Sequence, residues 1–326
     1  MKQSLYFGDV HLSALNPYNT EAGENFLKWF EEYDFGVKED LEAFFAGDIT
    51  ERDVNPGTVI AQLVRMLQIC HEKFARTYIV LGNHDKKLYK GAVQHSLMFV
   101  EDTWDNIFII EDLQEIKTPN GFKVLCMPHR YNEDFCKRYN EYIADHADDF
   151  YNAVVGHFYI SESYGGDFVD ISKLKNIQLH AIGHVHTRIS KSYLGSLWPN
   201  SASEDYTPLP RAVQVLSEDG KNTEILLPAF LRFIKVDYPL PLPSEECTTV
   251  YIINNASLED AKEKYPNVKY IKVGKPKVEE VSVTSMDNQS VDNSKKNSEY
   301  FNDMINDLNL KISRASYRTI MNILSN

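Results

Sequence analysis

Gly8-Asp9-Val10-His11, Gly47-Asp48, Gly82-Asn83-His84-Asp85, Gly156-His157 and Gly183-His184-Val185-His186 follow one another along the chain. They concentrate side chains that bind divalent cations. Imidazole, carboxylate and amide oxygen in this mixture suit two ions about 3.5–4 Å apart that share a bridging carboxylate and stay open to water and phosphate. Asp48 is the expected bridge. Asp9, His11 and His186 then complete one ion, and Asn83, His157 and His184 the other. Such a pair activates a water for in-line attack on phosphorus and offsets charge developing on the equatorial oxygens. His84 is left for proton transfer. Asp85, next to it, is expected to accept a hydrogen bond from the imidazole and hold it ready as general acid for the leaving oxygen. A single Gly-Asp or Gly-His pair says little, because turns favour these residues. The ordered series is what carries weight.

The elements that position these groups are legible around them. Each cluster follows an apolar run with strand character: Leu5–Phe7, Ala43–Ala46, Tyr78–Leu81, Ala153–Val155 and Leu179–Ile182. The opening glycine is expected to let the backbone turn sharply where the strand ends. Glu24–Tyr33 reads as a helix, with Phe26, Leu27, Phe30 and Tyr33 at helical spacing. Thr58–Phe74 reads as another, with Ile60, Leu63, Val64 and Leu67 on one face and Pro56-Gly57 before it. Strands alternating with helices predict a layered α/β architecture with the site on strand-end loops. Ile189–Tyr238 is rich in short strands. Tyr18, Asn19, Arg52 and His129 lie on expected loops or strand ends near the ligands, and Arg52 and His129 are the candidates for substrate contact.

These motifs resemble those of the calcineurin-like metallophosphoesterase superfamily: D-x-H, GD, GNH[DE], GH and GHxH. Within it the chain is similar to the DNA-repair nuclease branch represented by bacterial SbcD, and most to the recombination exonuclease subunits of large bacteriophages. Gly183-His184-Val185-His186-Thr187 is followed by Tyr193-Leu194-Gly195-Ser196 and by Ser203-Glu204-Asp205, and Gly156-His157-Phe158 has the phage form. The resemblance implies a four-layer α/β/β/α sandwich whose second sheet is closed by Ile189–Tyr238. It also implies manganese as the metal, with magnesium, iron or zinc compatible with the same ligands. The implied activity is that of a 3′-to-5′ exonuclease and single-strand endonuclease in DNA recombination, repair or replication, working as a homodimer with an SbcC-like ATPase. A phosphatase or cyclic-nucleotide phosphodiesterase would share every ligand. A catalytically idle scaffold would predict a damaged ligand set, and none of the seven positions is damaged. The chain departs from the cellular nucleases three residues after the bridging aspartate, where their histidine is replaced by Glu51. Glu51 reads as a solvated loop acid beside Arg52 and Asp53.

With 326 residues and 43% hydrophobic content, the chain can bury one sizeable core and a small extra unit. Its net charge of −13 opposes non-specific DNA binding, which depends on cationic side chains. The DNA grip is therefore expected from a partner, or the substrate is not DNA. Cys70, Cys126, Cys136 and Cys247 have no CxxC spacing and read as reduced thiols of a cytoplasmic protein, with Cys70 in a helix and Cys126 in a strand. No charged leader precedes the first strand and no run reaches about 18 apolar residues, so secretion and membrane spanning are not expected.

Pro239, Pro241 and Pro243 form a stiff connection after the expected nuclease domain, residues 1–238. Thr249–Ile253, Ser257–Lys264 and Val268–Val273 then read as strand, helix and strand in a small capping segment, 239–274, with Ser257 and Asp260 at the helix start. Residues 275–298 are poor in large apolar side chains and read as a tether. In 299–326, Phe301, Met304, Ile305 and Leu308 share one helical face, and Tyr317, Ile320, Met321 and Leu324 repeat the pattern. Similar helical pairs in SbcD-like nucleases dock on the ATPase, which implies the same for these residues.

Overall fold

The computed structural model describes residues 1–274, apart from 53–54, 90–91, 131–133, 165–166, 206 and 244–245. The expected tether and the two amphipathic helices of 299–326 lie outside the described residues. In chain order the elements are β1 Gln3–Phe7, α1 Pro17–Glu32, β2 Leu41–Phe45, α2 Gly57–Lys73, β3 Arg76–Val80, β4 Lys86–Tyr89, β5 Ala92–His95, β6 Ile107–Ile110, β7 Gln114–Lys117 and β8 Lys123–Met127. There follow α3 Phe135–Asp145, β9 Phe150–His157, β10 Asn176–Gly183, β11 Ala212–Ser217, β12 Asn222–Leu226, β13 Leu231–Asp237, β14 Thr248–Asn254, α4 Leu258–Lys264 and β15 Ile271–Val273.

Alternation along the strands sorts the side chains into layers. Leu5 and Phe7 of β1 join the core that contains Phe26 and Phe30 of α1 and Leu63 and Leu67 of α2, whereas Tyr6 between them points to the opposite face. That opposite core is shared by Phe44 and Tyr78 from one sheet and Val124, Ala153 and Val155 from the other. Beyond the second sheet, Leu125, Met127 and Val154 pack with Cys136, Tyr139 and Ile143 of α3. The result is a four-layer α/β/β/α sandwich. Across the inner face of the first sheet, Tyr6, Phe44, Tyr78 and Phe108 stack in sequence at 5.3, 4.7 and 5.4 Å, one ring from each of four neighbouring strands. Tyr6 and Phe44 are fully buried and Phe108 at the edge only partly so, and a fully buried aromatic contributes about 1.5–3 kcal/mol.

The first sheet runs β12-β11-β1-β2-β3-β6 and the second β10-β9-β8-β7. Strands β1, β2, β3 and β6 are parallel, as are β8, β9 and β10. The stretch expected to close the second sheet touches it through Tyr193, which bridges Ile182 of β10, but its regular strands β11 and β12 extend the first: β11 lies antiparallel to β1, with Leu5 opposite Val215, and β12 lies antiparallel to β11. The side chains explain this, because Val213 and Val215 enter the same core as Leu5 and Phe7.

Helix α1 starts well before the expected Glu24, with Pro17 in its first turn, where a missing N–H costs nothing. Tyr18 and Asn19 are therefore buried helix residues and not loop residues facing phosphate. Tyr18 packs edge-on against Phe233 and Tyr270, and its hydroxyl accepts from Lys272 Nζ at 2.6 Å. The strand, helix and strand expected after the prolines are β14, α4 and β15. Ser257 caps α4 in a reciprocal box with Asp260. A third strand joins them from before the prolines: β13, read in sequence as the end of the preceding domain, pairs in parallel with β14. Among the described residues no helix is long and apolar enough to cross a membrane.

Candidate metal centre

All five clusters stand at the C-terminal ends of parallel strands, β1, β2 and β3 in one sheet and β9 and β10 in the other, so they converge on one rim of the sandwich. Only Gly47 among the five opening glycines takes a left-handed backbone, at φ +98°. The sharp-turn role therefore holds there alone. At Gly82 and Gly183 the requirement is space: a side chain would collide with the carboxylate of Asp48 at the first and of Asp9 at the second. The left-handed conformation falls instead on three of the candidate ligands, His11 (φ 52°), Asp48 (46°) and His184 (83°). Aspartate and histidine are among the residues that tolerate it best.

Main-chain bonds lock this rim together. Asp48 O accepts from Val10 N at 3.1 Å and His11 N at 2.8 Å, His84 N donates to Asp48 Oδ1 at 2.8 Å, and His184 N donates to Asp9 Oδ2 at 2.9 Å. Two groups of ligand atoms meet at Asp48. Asp9, His11, Asp48 and His186 form one; Asp48, His157 and His184 form the other; among the described residues His11, Glu51 and His84 make a third cluster beside them. Asn83 belongs with the second, its Oδ1 lying 3.0 Å from His157 Nε2 and 3.0 Å from His184 Nδ1. Asp48 is common to both, with Oδ2 3.1 Å from His157 Nε2 and 3.7 Å from His11 Nε2.

These residues fit divalent ions on two grounds. Imidazole nitrogens are crowded face to face, His11 Nε2 at 2.9 Å from His186 Nε2 and His157 Nε2 at 3.2 Å from His184 Nδ1. With a proton on one nitrogen of each pair these are hydrogen bonds; with both nitrogens bare their lone pairs repel, and a cation between them removes the conflict. The electrostatics agree. Burial lowers His11, but contact with Glu51 and the charges of Asp48 and Asp9 outweigh it and raise the imidazole to about 9. His157 rises to about 9 for the same kind of reason, burial being overcome chiefly by Asp48. His11 and His157 thus favour positive charge in an interior where a cation is otherwise costly, whereas burial and the neighbouring His157 charge push His184 down to about 3.

Around the ligands the structure corrects two readings. Asp85 does not orient His84. It is fully buried, accepting from Thr50 N at 3.1 Å and Gly82 N at 2.9 Å, and burial together with the Asp48 charge pushes it up to about 6. Its carboxylate therefore braces the second and third ligand loops. The His84 ring is held by Glu51, whose carbonyl oxygen accepts from Nδ1 at 2.7 Å. Glu51 is not a solvated loop acid either: its Oε2 lies 2.9 Å from His11 Nδ1. Burial raises Glu51, but the contact with His11 and the charges of His11 and His84 hold it below the usual carboxylate range.

Glu204, noted in sequence only as part of an acidic stretch, also reaches the centre. Its Oε2 is 3.3 Å from His186 Nδ1 and accepts from Asn200 N at 2.9 Å. Against the effect of burial, His186 and these donors lower it to about 2. His129 sits beside the second group, with ring centroids 6.3 Å from His184 and 6.5 Å from His157, and burial lowers it to about 3, so it is neutral near pH 7. Arg52 is exposed, and its carbonyl accepts from Thr50 Oγ1 at 2.9 Å within its own loop. The four cysteines are free thiols, Cys70, Cys126 and Cys136 buried and Cys247 partly so.

No curated protein matches the chain. Residues 4–188, more than half of the 326, match the calcineurin-like phosphoesterase family, and the chain belongs to that family.

Proposed function

We propose that this calcineurin-like phosphoesterase is a DNA nuclease with two divalent metal ions, acting as a 3′-to-5′ exonuclease and single-strand endonuclease. The observation that carries phosphoester hydrolysis is the position of Asp48 between two groups of ligand atoms. Asp9, His11, Asp48 and His186 would hold one ion, and Asp48, Asn83, His157 and His184 the other; manganese is the proposed metal. Such ions supply Lewis-acid polarisation of a phosphoryl oxygen and a water acidic enough to act near neutral pH.

The protein's own part is positioning and proton transfer. Asp9 and Asp48 are fixed by main-chain donors from other loops, so the ligand geometry exists before substrate arrives. His84 stands 5.2 Å from His11, ring centre to ring centre, and its side chain is 35% exposed, which leaves it accessible to a bound phosphodiester. With Nδ1 engaged by the Glu51 carbonyl, Nε2 is the atom that can pass a proton to the leaving oxygen when the ring is cationic.

The DNA assignment draws its support from the likeness to SbcD-like nucleases. The Tyr193-Leu194-Gly195-Ser196 segment of that likeness lies against the first ligand loop, where Ser196 bridges Asp9 and Leu197 N donates to Asp9 O at 2.9 Å. We further propose that residues 299–326 dock on an SbcC-like ATPase, which would supply the cationic DNA surface that a chain of net charge −13 lacks, and that the nuclease subunits pair as a homodimer. The test is manganese-dependent degradation of end-labelled single- and double-stranded DNA, with Asp48→Ala as control. Progressive shortening that disappears in Asp48→Ala is the expected result. Intact DNA, with or without the ATPase, alongside cleavage of an aryl phosphate ester would give the enzyme a non-DNA substrate.

A further inference from the structure

The two halves of the centre differ in what stands behind their histidines. In the first group, His11 Nδ1 faces the carboxylate of Glu51 at 2.9 Å and His186 Nδ1 faces the carboxylate of Glu204 at 3.3 Å. In the second, His157 Nδ1 donates to a neutral main-chain carbonyl, Ala46 O, at 2.8 Å, and the nearest carboxylate to that nitrogen, Asp9, stands farther off at 3.7 Å. The first group also contains the whole of Asp9 and shares Asp48, whereas the second has Asp48 as its single carboxylate. Neither Glu51 nor Glu204 is a loose surface acid. Both are about one-fifth exposed; Glu51 N donates to Leu12 O at 3.0 Å, which ties its loop to that of His11, and Glu204 takes bonds from Asn200 N and Ser201 Oγ.

Resting on the two-metal reading above, we propose that Glu51 and Glu204 are positioning residues for the ion held by Asp9, His11, Asp48 and His186, and that they make this position the tighter of the two. A carboxylate facing Nδ1 keeps the proton on that nitrogen, so Nε2 presents its lone pair to the metal. It also makes the imidazole a stronger donor and adds negative charge close to the cation. Both effects act more strongly on the first ion, whose histidines face their carboxylates at 2.9 and 3.3 Å, than on the second, where Asp9 stands 3.7 Å from His157 Nδ1. The Ala46 carbonyl orients His157 without adding charge.

Calorimetric titration of the EDTA-stripped full chain with Mn2+, together with electron paramagnetic resonance to count bound ions, tests this. The wild type is expected to bind in two unequal steps. Asn83→Ala removes or weakens the second step, which assigns the steps to their positions. Glu51→Ala and Glu204→Ala each weaken the first step by about 10–100-fold and leave the second in place. Glu51→Gln, which keeps an oxygen facing Nδ1 but lacks the charge, falls between wild type and Glu51→Ala. Thermal unfolding in EDTA checks that each variant is folded. Folded glutamate variants with an unchanged first step, or with the loss falling on the second, would overturn the proposal while leaving the two-metal reading intact. A wild type that binds no Mn2+ would overturn both.

Discussion

The catalytic rim and the β13–β15 unit use the same chain in opposite ways. At the rim, Asp9, His11, Asp48 and His157 are at most 1% exposed, carry charge or polar atoms, and include residues in left-handed backbone. Their burial opposes folding, and they persist because the surrounding sandwich over-determines them. The β13–β15 unit has a small apolar cluster of Val236, Tyr251, Ile253, Ala261 and Tyr265, a capped helix, and polar links to α1 through Glu21. Its helix start follows local preference, with Ser257 and Asp260 in a reciprocal cap. The difference implies that substitutions at the rim change chemistry out of proportion to stability, and substitutions in the small unit do the reverse.

His84→Ala is the largest expected effect and the sharpest test of that division. Turnover should fall about 10²–10⁴-fold, the usual contribution of a positioned acid, while Mn2+ stoichiometry and the unfolding midpoint stay near wild type. Near-full turnover in His84→Ala would remove the ring from the mechanism. Ile253→Ala, at a fully buried position of the small unit, should cost about 2–5 kcal/mol of local stability. Hydrogen exchange should show it in β13–β15 with turnover on an aryl phosphate ester nearly unchanged; a large fall in turnover would mean that the two regions are coupled.

Ser257→Ala removes one arm of the capping box and should cost about 1 kcal/mol, again seen as faster exchange in α4. The smallest effect is that of acid on the link between the regions. Glu21 accepts from Lys269, Tyr270 and Thr248; burial raises its pKa, but these bonds outweigh it and hold the group below its ordinary 4.5. The link is therefore complete above pH 4.5 and weakens as pH falls through the lowered pKa. Exchange at the β14 amides should quicken over that acid range, and Glu21→Gln should abolish the pH dependence.

What was legible in the sequence follows from the same contrast. The residues that gather at the rim could be read because strand ends punctuated by glycine, aspartate and histidine are local features, as is the Ser257 cap. Asp85 misled because neighbours in a loop point in different directions: His84 faces the centre, and Asp85 turns inward to the main chain of Thr50 and Gly82. Glu51 could not be read at all. Its place depends on the bridge between Leu12 and Thr50, a pairing of distant loops that no local pattern encodes. The sheet joined by β11, and the strand that precedes the prolines yet pairs beyond them, were hidden for the same reason: strand propensity indicates extended backbone and does not name the neighbour.

The backbone at His11, Asp48 and His184 bears on how this chain could change over generations. Glycine at any of these positions would relieve an unfavourable φ by about 1 kcal/mol and delete a ligand in the same step. Selection for ligation and selection for folding therefore pull against each other at single residues. In a lineage that no longer needs the activity, the ligand set should not decay evenly: positions 11, 48 and 184 should drift first, toward glycine and asparagine, while Asn83, His157 and His186, outside the left-handed region, would gain no backbone relief from the change.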